Sequence, residues 1–291
     1  MRFAIFILCH VYILVSNSCT NVATSKLIPT PHSRISGGSL AGINEFPWHV
    51  YILANGDGIA STCGGSILSE TWVLTAAHCT HGFLNLDLYF GSTDVYSMPT
   101  IISSTYWIEH SQYDPSNYNN DISVVQLESA LNYTPGIQPM NLISPSESSN
   151  DFVNEVATVL GFGYTSDQNP QESSDLLFTK VLIVPNTDCT ARYGADIVTE
   201  KTLCAVGNAS LDHSICSGDS GGAMVIKNEN DDYVQIGINS FVSDLGCTTG
   251  WPSGYVRVGS YLEWISTQTG IRMDTSPTNV KFSLNRRAVL G

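Results

Sequence analysis

The sequence predicts an all-β protein in two strand-rich halves, and three observations point there. Short runs rich in branched and aromatic residues recur along most of the chain. Glycine is frequent, at 24 residues, and aromatic residues make up 10%, a mix that favours short strands joined by tight turns. Helical periodicity stays weak until near the C-terminus.

The first series of strand-like runs is Trp48–Ala54, Ser66–Leu68, Trp72–Thr75, Asp87–Phe90, Thr100–Ile108 and Ile122–Leu127. The second is Glu155–Gly161, Leu177–Val184, Gly222–Lys227, Tyr233–Phe241 and Gly254–Val258. Between them, Ser144–Asp151 is polar and serine-rich, so the junction is expected at 144–151. One helix is expected over Val258–Gln268, where Tyr261, Leu262, Trp264 and Ile265 fall on one face. A polar tail, 271–291, follows and carries the dibasic pair Arg286–Arg287.

Composition excludes some functions. Hydrophobic content of 43% against 13% charged residues suits a folded chain rather than a disordered one. A net charge of -14 argues against nucleic-acid binding, which needs a basic surface. The cations are also uneven: no Lys or Arg occurs from Ile35 to Thr179.

The N-terminus reads as an export signal over residues 1–18. Arg2 gives the positive start, Phe3–Val15 the apolar stretch, and Ser16 and Ser18 suit cleavage before Cys19. That run is too short for a comfortable membrane span, and no later one is long enough, so a secreted, extracellular protein without a membrane partner is expected. Residues 19–34 are polar, contain Pro29 and Pro31, and read as a leader. Beyond Cys9 and Cys19 there are six cysteines: Cys63, Cys79, Cys189, Cys204, Cys216 and Cys247. An even set in an exported chain reads as disulfides, and no Cys-x-x-Cys pair suggests zinc. Spacing alone leaves about fifteen pairings open.

Three segments carry chemistry. A serine hydroxyl must lose its proton as it attacks, so acyl transfer needs a base, a group that orients the base, and donors for the oxyanion. Cys216-Ser-Gly-Asp-Ser-Gly-Gly222 sets Ser220 among glycines that let the backbone turn and offer the N–H groups of Gly218 and Ser220 to a cavity. Thr75-Ala-Ala-His-Cys79 places His78 after a strand and beside a cysteine that could anchor it. Asn119-Asn-Asp-Ile-Ser123 places Asp121 before an apolar strand. Each alone could be an ordinary turn or a structural residue. Together, in the order His, Asp, Ser, they are hard to reach by chance.

These segments, with Ile35-Ser-Gly-Gly38, Cys63-Gly-Gly-Ser66, Ser240-Phe-Val242 and Tyr261–Ile265, resemble the chymotrypsin-like serine proteases over about residues 35–270. The resemblance implies two antiparallel six-stranded β-barrels with a C-terminal helix and the active site between the barrels. It implies the pairings Cys63–Cys79, Cys189–Cys204 and Cys216–Cys247. His78 would act as base, Asp121 as its orienting partner, Ser220 as nucleophile, and the Gly218 and Ser220 N–H groups as the oxyanion hole. Cleavage after Arg34 would free the amine of Ile35 to pair with Asp219. Protein or peptide substrates, a trypsin-like activating protease and protease inhibitors are the implied partners. A monomer with no cofactor is expected. The loop after His81 lacks the glutamate cluster that binds calcium in some relatives, so no metal is expected.

The resemblance also places a substrate pocket. Ser214 would form its base, Ser253 its far wall, Ser240 and Phe241 an apolar strand, and Val242 its mouth. Ser36, Phe241 and Ala223 depart from the commoner Val, Trp and Pro. An uncharged pocket disfavours a buried cation, so large apolar or aromatic side chains are expected, with small aliphatic ones as the alternative because of Val242. A catalytically inactive binding homologue is the further alternative, which the intact triad disfavours. His213 and Asp244 read as solvent-facing. Asn132-Tyr-Thr134 and Asn208-Ala-Ser210 are glycosylation sequons. Loss of residues 1–34 removes three cations and no acid, taking the charge from -14 to -17. So few trypsin sites suit an enzyme that works among trypsin-like proteases, as in digestion.

Overall fold

Alternating burial explains the first strands. Over His49–Asn55, Val50, Ile52 and Ala54 point inward, and over Asn85–Phe90, Leu86, Leu88 and Phe90 do the same. The computed structural model describes residues 38–168, 170–208, 213–274, 276, 278 and 279. The expected signal, the leader, Cys19, Arg34 and Ile35 lie outside these.

Among the described residues, fifteen strands appear in chain order. In the first half they are β1 (Ser39–Leu40), β2 (His49–Asn55), β3 (Ala60–Ile67), β4 (Trp72–Thr75), β5 (Asn85–Phe90), β6 (Thr100–Ser104), β7 (Trp107–Glu109) and β8 (Ser123–Gln126). In the second half they are β9 (Asn141–Leu142), β10 (Val156–Gly161), β11 (Leu177–Val184), β12 (Thr202–Gly207), β13 (Ala223–Lys227), β14 (Tyr233–Phe241) and β15 (Ser253–Arg257). Two α-helices join them, α1 (Asn186–Tyr193) and α2 (Leu262–Thr269).

The second-half sheet closes on itself. Its order is β11-β10-β13-β14-β15-β12, and β12 pairs back onto β11, giving a six-stranded antiparallel barrel. The first-half sheet runs β6-β5-β2-β3-β4-β8-β7 and closes less completely. The single run expected over Thr100–Ile108 is bent at Thr105–Tyr106. Its first part pairs with β5 and its second with β8, so one bent strand spans both edges. The bend is held by the Ser104 hydroxyl, which donates to Gln126 O at 2.7 Å.

The chain changes sheets before the serine-rich stretch: Asn141–Leu142 already pairs with β14. The barrels are tied across their interface, where the Ser66 hydroxyl donates to Gln235 Oε1 at 2.7 Å between buried side chains. Three disulfides form, Cys63–Cys79, Cys189–Cys204 and Cys216–Cys247, as the resemblance implied. Closing a loop of about 15 residues is worth about 3 kcal/mol in the chain-entropy account. The C-terminal helix starts as a 3-10 turn, Val258–Tyr261, before α2. The beginning of the tail is packed. Ile271 and Met273 lie against the core, and the Thr278 N–H donates to Glu147 Oε2 at 2.6 Å.

Candidate active site

His78 sits in a 3-10 turn, Ala77–Cys79, directly after β4. The Cys63–Cys79 bridge fastens that turn to β3. Asp121 stands two residues before β8 and is fully buried. Its neighbour Asn120 adopts φ 55°, a left-handed conformation that asparagine tolerates better than most residues. Asn120 is pinned on both sides. Its amide donates to Gln112 O at 2.9 Å, and its Oδ1 accepts from Lys201 and Tyr261, each at 3.1 Å.

The Asp121 carboxylate faces three hydrogen-bond partners. Oδ1 accepts the His78 backbone N–H at 2.9 Å, and Oδ2 lies 2.8 Å from His78 Nδ1. Oδ2 also accepts the Ser240 hydroxyl at 2.6 Å. Ser240 therefore turns its hydroxyl toward Asp121. Burial pulls the His78 pKa down, but the charge and hydrogen bond of Asp121 outweigh it, and the net shift is upward. This geometry fixes a proton on Nδ1 and leaves Nε2 as the basic nitrogen. The Tyr118 ring packs edge-on against His78 at 5.8 Å.

Ser220 comes from the turn between the Cys216–Cys247 bridge and β13. Gly218 there has φ 94°, and a β-carbon on it would stand 2.8 Å from Gly163 Cα, so only glycine fits. The turn is bound to both barrels: the Gly64 N–H donates to Ser220 O at 2.6 Å, and the Asn239 amide to Asp219 O at 2.8 Å. Among the described residues, no acceptor takes the Gly218 or Ser220 N–H. His78 and Ser220 line one cleft of about 340 Å³, and no hydrogen bond joins them in this structure. Such bonds often tighten only when substrate binds.

Asp219 points the other way, into the protein. Its Oδ1 accepts the Gly163 N–H and its Oδ2 the Cys216 N–H, each at 2.8 Å. It is fully buried, and desolvation raises its pKa to about 7 despite those two donors. A carboxyl so placed has a large unmet demand for a cation.

The remaining pocket residues divide into two groups. Phe241 and Val242 line the cleft. Ser214 and Ser253 are buried and do not line it. Ser253 Oγ lies 2.7 Å from the Tyr255 hydroxyl and 3.3 Å from Ala205 O, so it is spent on internal bonds. The Phe241 ring covers Gly254, where a β-carbon would overlap it, and packs edge-on against Tyr193 at 5.2 Å. Asp244 is exposed and pairs with Arg192, whose guanidinium also stacks 5.1 Å from the Trp251 ring. His213 Nδ1 lies 3.3 Å from Thr179 Oγ1. Asn132 and Asn208 are exposed. Tyr118, Tyr193 and the anchoring of Asn120 were not found from sequence, because no local spacing marks residues that meet only through the fold.

Over most of its length the chain is similar to known proteins. The family described as Trypsin matches residues 35–265. Collagenase of Hypoderma lineatum is 39% identical over 209 residues, covering 72% of this chain and 76% of that protein. Chymotrypsin of Phaedon cochleariae is 33% identical over 242 residues, covering 82% and 83%. The solved structure of HL collagenase superposes with a TM-score of 0.74 at 35% identity, covering 81% of this chain and 99% of that one. Among the described residues no helix is long and apolar enough to cross a membrane. Over most of its length the chain belongs to the trypsin family, and it is a serine endopeptidase.

Proposed function

We propose that this endopeptidase is a secreted zymogen, cut after Arg34, that hydrolyses peptide bonds with the triad His78, Asp121 and Ser220. The observation that carries the reading is the Asp121 carboxylate, which grips both the backbone and the ring of His78 at the cleft that Ser220 also lines. In this mechanism Ser220 Oγ attacks the carbonyl while His78 Nε2 takes its proton. The unused N–H groups of Gly218 and Ser220 receive the oxyanion. His78 then returns the proton to the leaving amine, and water repeats the cycle on the acyl-enzyme. Asp121 stays ionised and stabilises the imidazolium.

Activation follows from the buried Asp219. In the uncut chain the Ile35 nitrogen is an uncharged amide. Cleavage after Arg34 makes it an ammonium that can answer the charge of Asp219 and hold the Gly218 turn in shape. The substrate preference is for large apolar or aromatic side chains, since no charged side chain lines the cleft. Similarity to the protein named Chymotrypsin supports this. A second reading, small aliphatic side chains, is favoured by one observation: Val242 lines the cleft whereas Ser214 lies behind it.

The test is activation of the purified precursor with trypsin. It should yield the new amino terminus Ile-Ser-Gly-Gly together with activity on Phe, Tyr, Leu or Met peptides, and Arg34→Gln should stay inactive. Full activity in the uncut precursor would reject the activation step, and cleavage after Lys or Arg would reject the pocket.

A further inference from the structure

A second cavity, of about 240 Å³, opens from the catalytic cleft on the side away from Phe241 and Val242. The two spaces share Ser61, Thr62, Ser217 and Gly218. Beyond these, Leu53, Ala60, Tyr164 and Glu172 line the second cavity, and Glu172 brings the charge. A substrate whose acyl side lies along Ser240–Val242 and whose carbonyl faces the Gly218 N–H must send its leaving-group side toward Thr62. That path runs into this cavity.

Glu172 is exposed but not loosely held. Its backbone bridges to Tyr164, and the Tyr164 N–H donates to Ser217 O at 2.7 Å, next to Gly218 in the chain. Its Oε1 accepts the Thr62 hydroxyl, and the Tyr51 hydroxyl approaches Oε2 at 3.5 Å. A β-carbon built on Gly218 would stand 3.6 Å from Glu172 Oε1, which sets the charge beside the oxyanion donor. Among the described residues Glu172 has no ion-pair partner, and the chain holds no Lys or Arg from Ile35 to Thr179 that could supply one from the first barrel. A positioned carboxylate with spare acceptor sites in a cleft is a receptor for a cationic side chain.

We infer that Glu172 is a specificity-determining residue that selects Arg or Lys at the first or second position after the cut bond. The inference rests on the endopeptidase reading above, since it concerns the leaving-group half of the same substrate. It does not depend on the apolar preference before the cut bond.

The experiment uses quenched fluorescent peptides that are identical before the cut bond and carry Arg, Gln or Glu at the first or second position after it. The activated enzyme should prefer Arg over Gln about fivefold in kcat/KM at one of the two positions, as a partly exposed ion pair permits. It should disfavour Glu further, and the preference should shrink toward unity in 1 M salt. In Glu172→Gln the Arg-to-Gln ratio should fall below about twofold, while Glu172→Asp keeps part of it. The ratio is taken within each enzyme, so a general change in activity cancels. An Arg-to-Gln ratio near one in the unaltered enzyme, or an unchanged ratio in Glu172→Gln, overturns the assignment. Failure of the cleaved enzyme to cut any of these peptides would instead overturn the endopeptidase mechanism beneath it.

Discussion

Replacing Asp219 by Asn should abolish the active state without touching the triad. The size of the effect comes from the site itself. Burial raises the carboxyl pKa to about 7, so its charged form is poorly solvated where it stands and calls for a cation. Removing one partner of a buried ion pair typically costs about 3–5 kcal/mol, because the other charge is left buried and unmatched. Asparagine cannot draw the ammonium in, and its amide NH₂ would face the Gly163 or Cys216 N–H, donor against donor. A loss of about 4 kcal/mol corresponds to about a thousandfold fewer molecules with the Gly218 turn in place. The assay is kcat/KM with active-site titration, after the Ile-Ser-Gly-Gly terminus has been verified in both proteins and melting shows both folded. The sign of the pH dependence follows. The pair exists while the amine is protonated, so activity falls as pH rises through the amine's pKa, which pairing lifts above its ordinary value of about 8. Activity of the cleaved Asp219→Asn protein within tenfold of the unaltered enzyme would refute this reasoning.

Other outcomes follow from the same geometry. Because Asp121 holds the His78 pKa up, the acid limb of kcat/KM should lie above about 6.5 and activity should be lost as pH falls through it. Asp121→Asn should lower kcat by several orders of magnitude and move the limb to lower pH, since burial alone then acts on the imidazole. An unmoved limb would argue against the pairing. Val242→Gly should widen the cleft and raise the ratio of kcat/KM for Phe over Ala peptides about tenfold, and an unchanged library profile would remove Val242 from control of the pocket. Trypsin should trim the tail but spare the barrels on prolonged incubation, read by mass spectrometry. Lys180 lies in the middle of β11, paired with Thr158 of β10 and accepting the Asn208 N–H on its carbonyl, and Arg192 lies within α1, bonded to Asp244. Rapid cuts at Lys180, Arg192 or Lys201 with loss of activity would contradict the protective reading.

Much of this was legible in the sequence because the chemistry is local. The Ser220 turn declares itself through adjacent glycines, and His78 through its strand and cysteine. The second-barrel strands β10, β11, β13, β14 and β15 stand out as apolar runs. What was missed has physical reasons. The N-terminal part of β3 reads as small polar residues, and Gly64 and Gly65 are there because the Ser220 turn and Val73 press on them. Helix α1, Asn-Thr-Asp-Cys-Thr-Ala-Arg-Tyr, has weak helical propensity and is held by its disulfide and by the Arg192 and Tyr193 contacts. Strand β12 was skipped because its cysteine and glycine dilute the pattern. Glu172 and Thr62 are 110 residues apart in sequence, so only the fold brings them together.

The measurement that bears most directly on the central assignment is acyl-enzyme titration of the activated protein with a slow-turnover ester. Intact mass and peptide mapping should find about one acyl group per molecule, on Ser220, with a burst of matching size. Folded Ser220→Ala should show neither burst nor label. A label on another residue, or near-normal turnover by Ser220→Ala, would contradict the account.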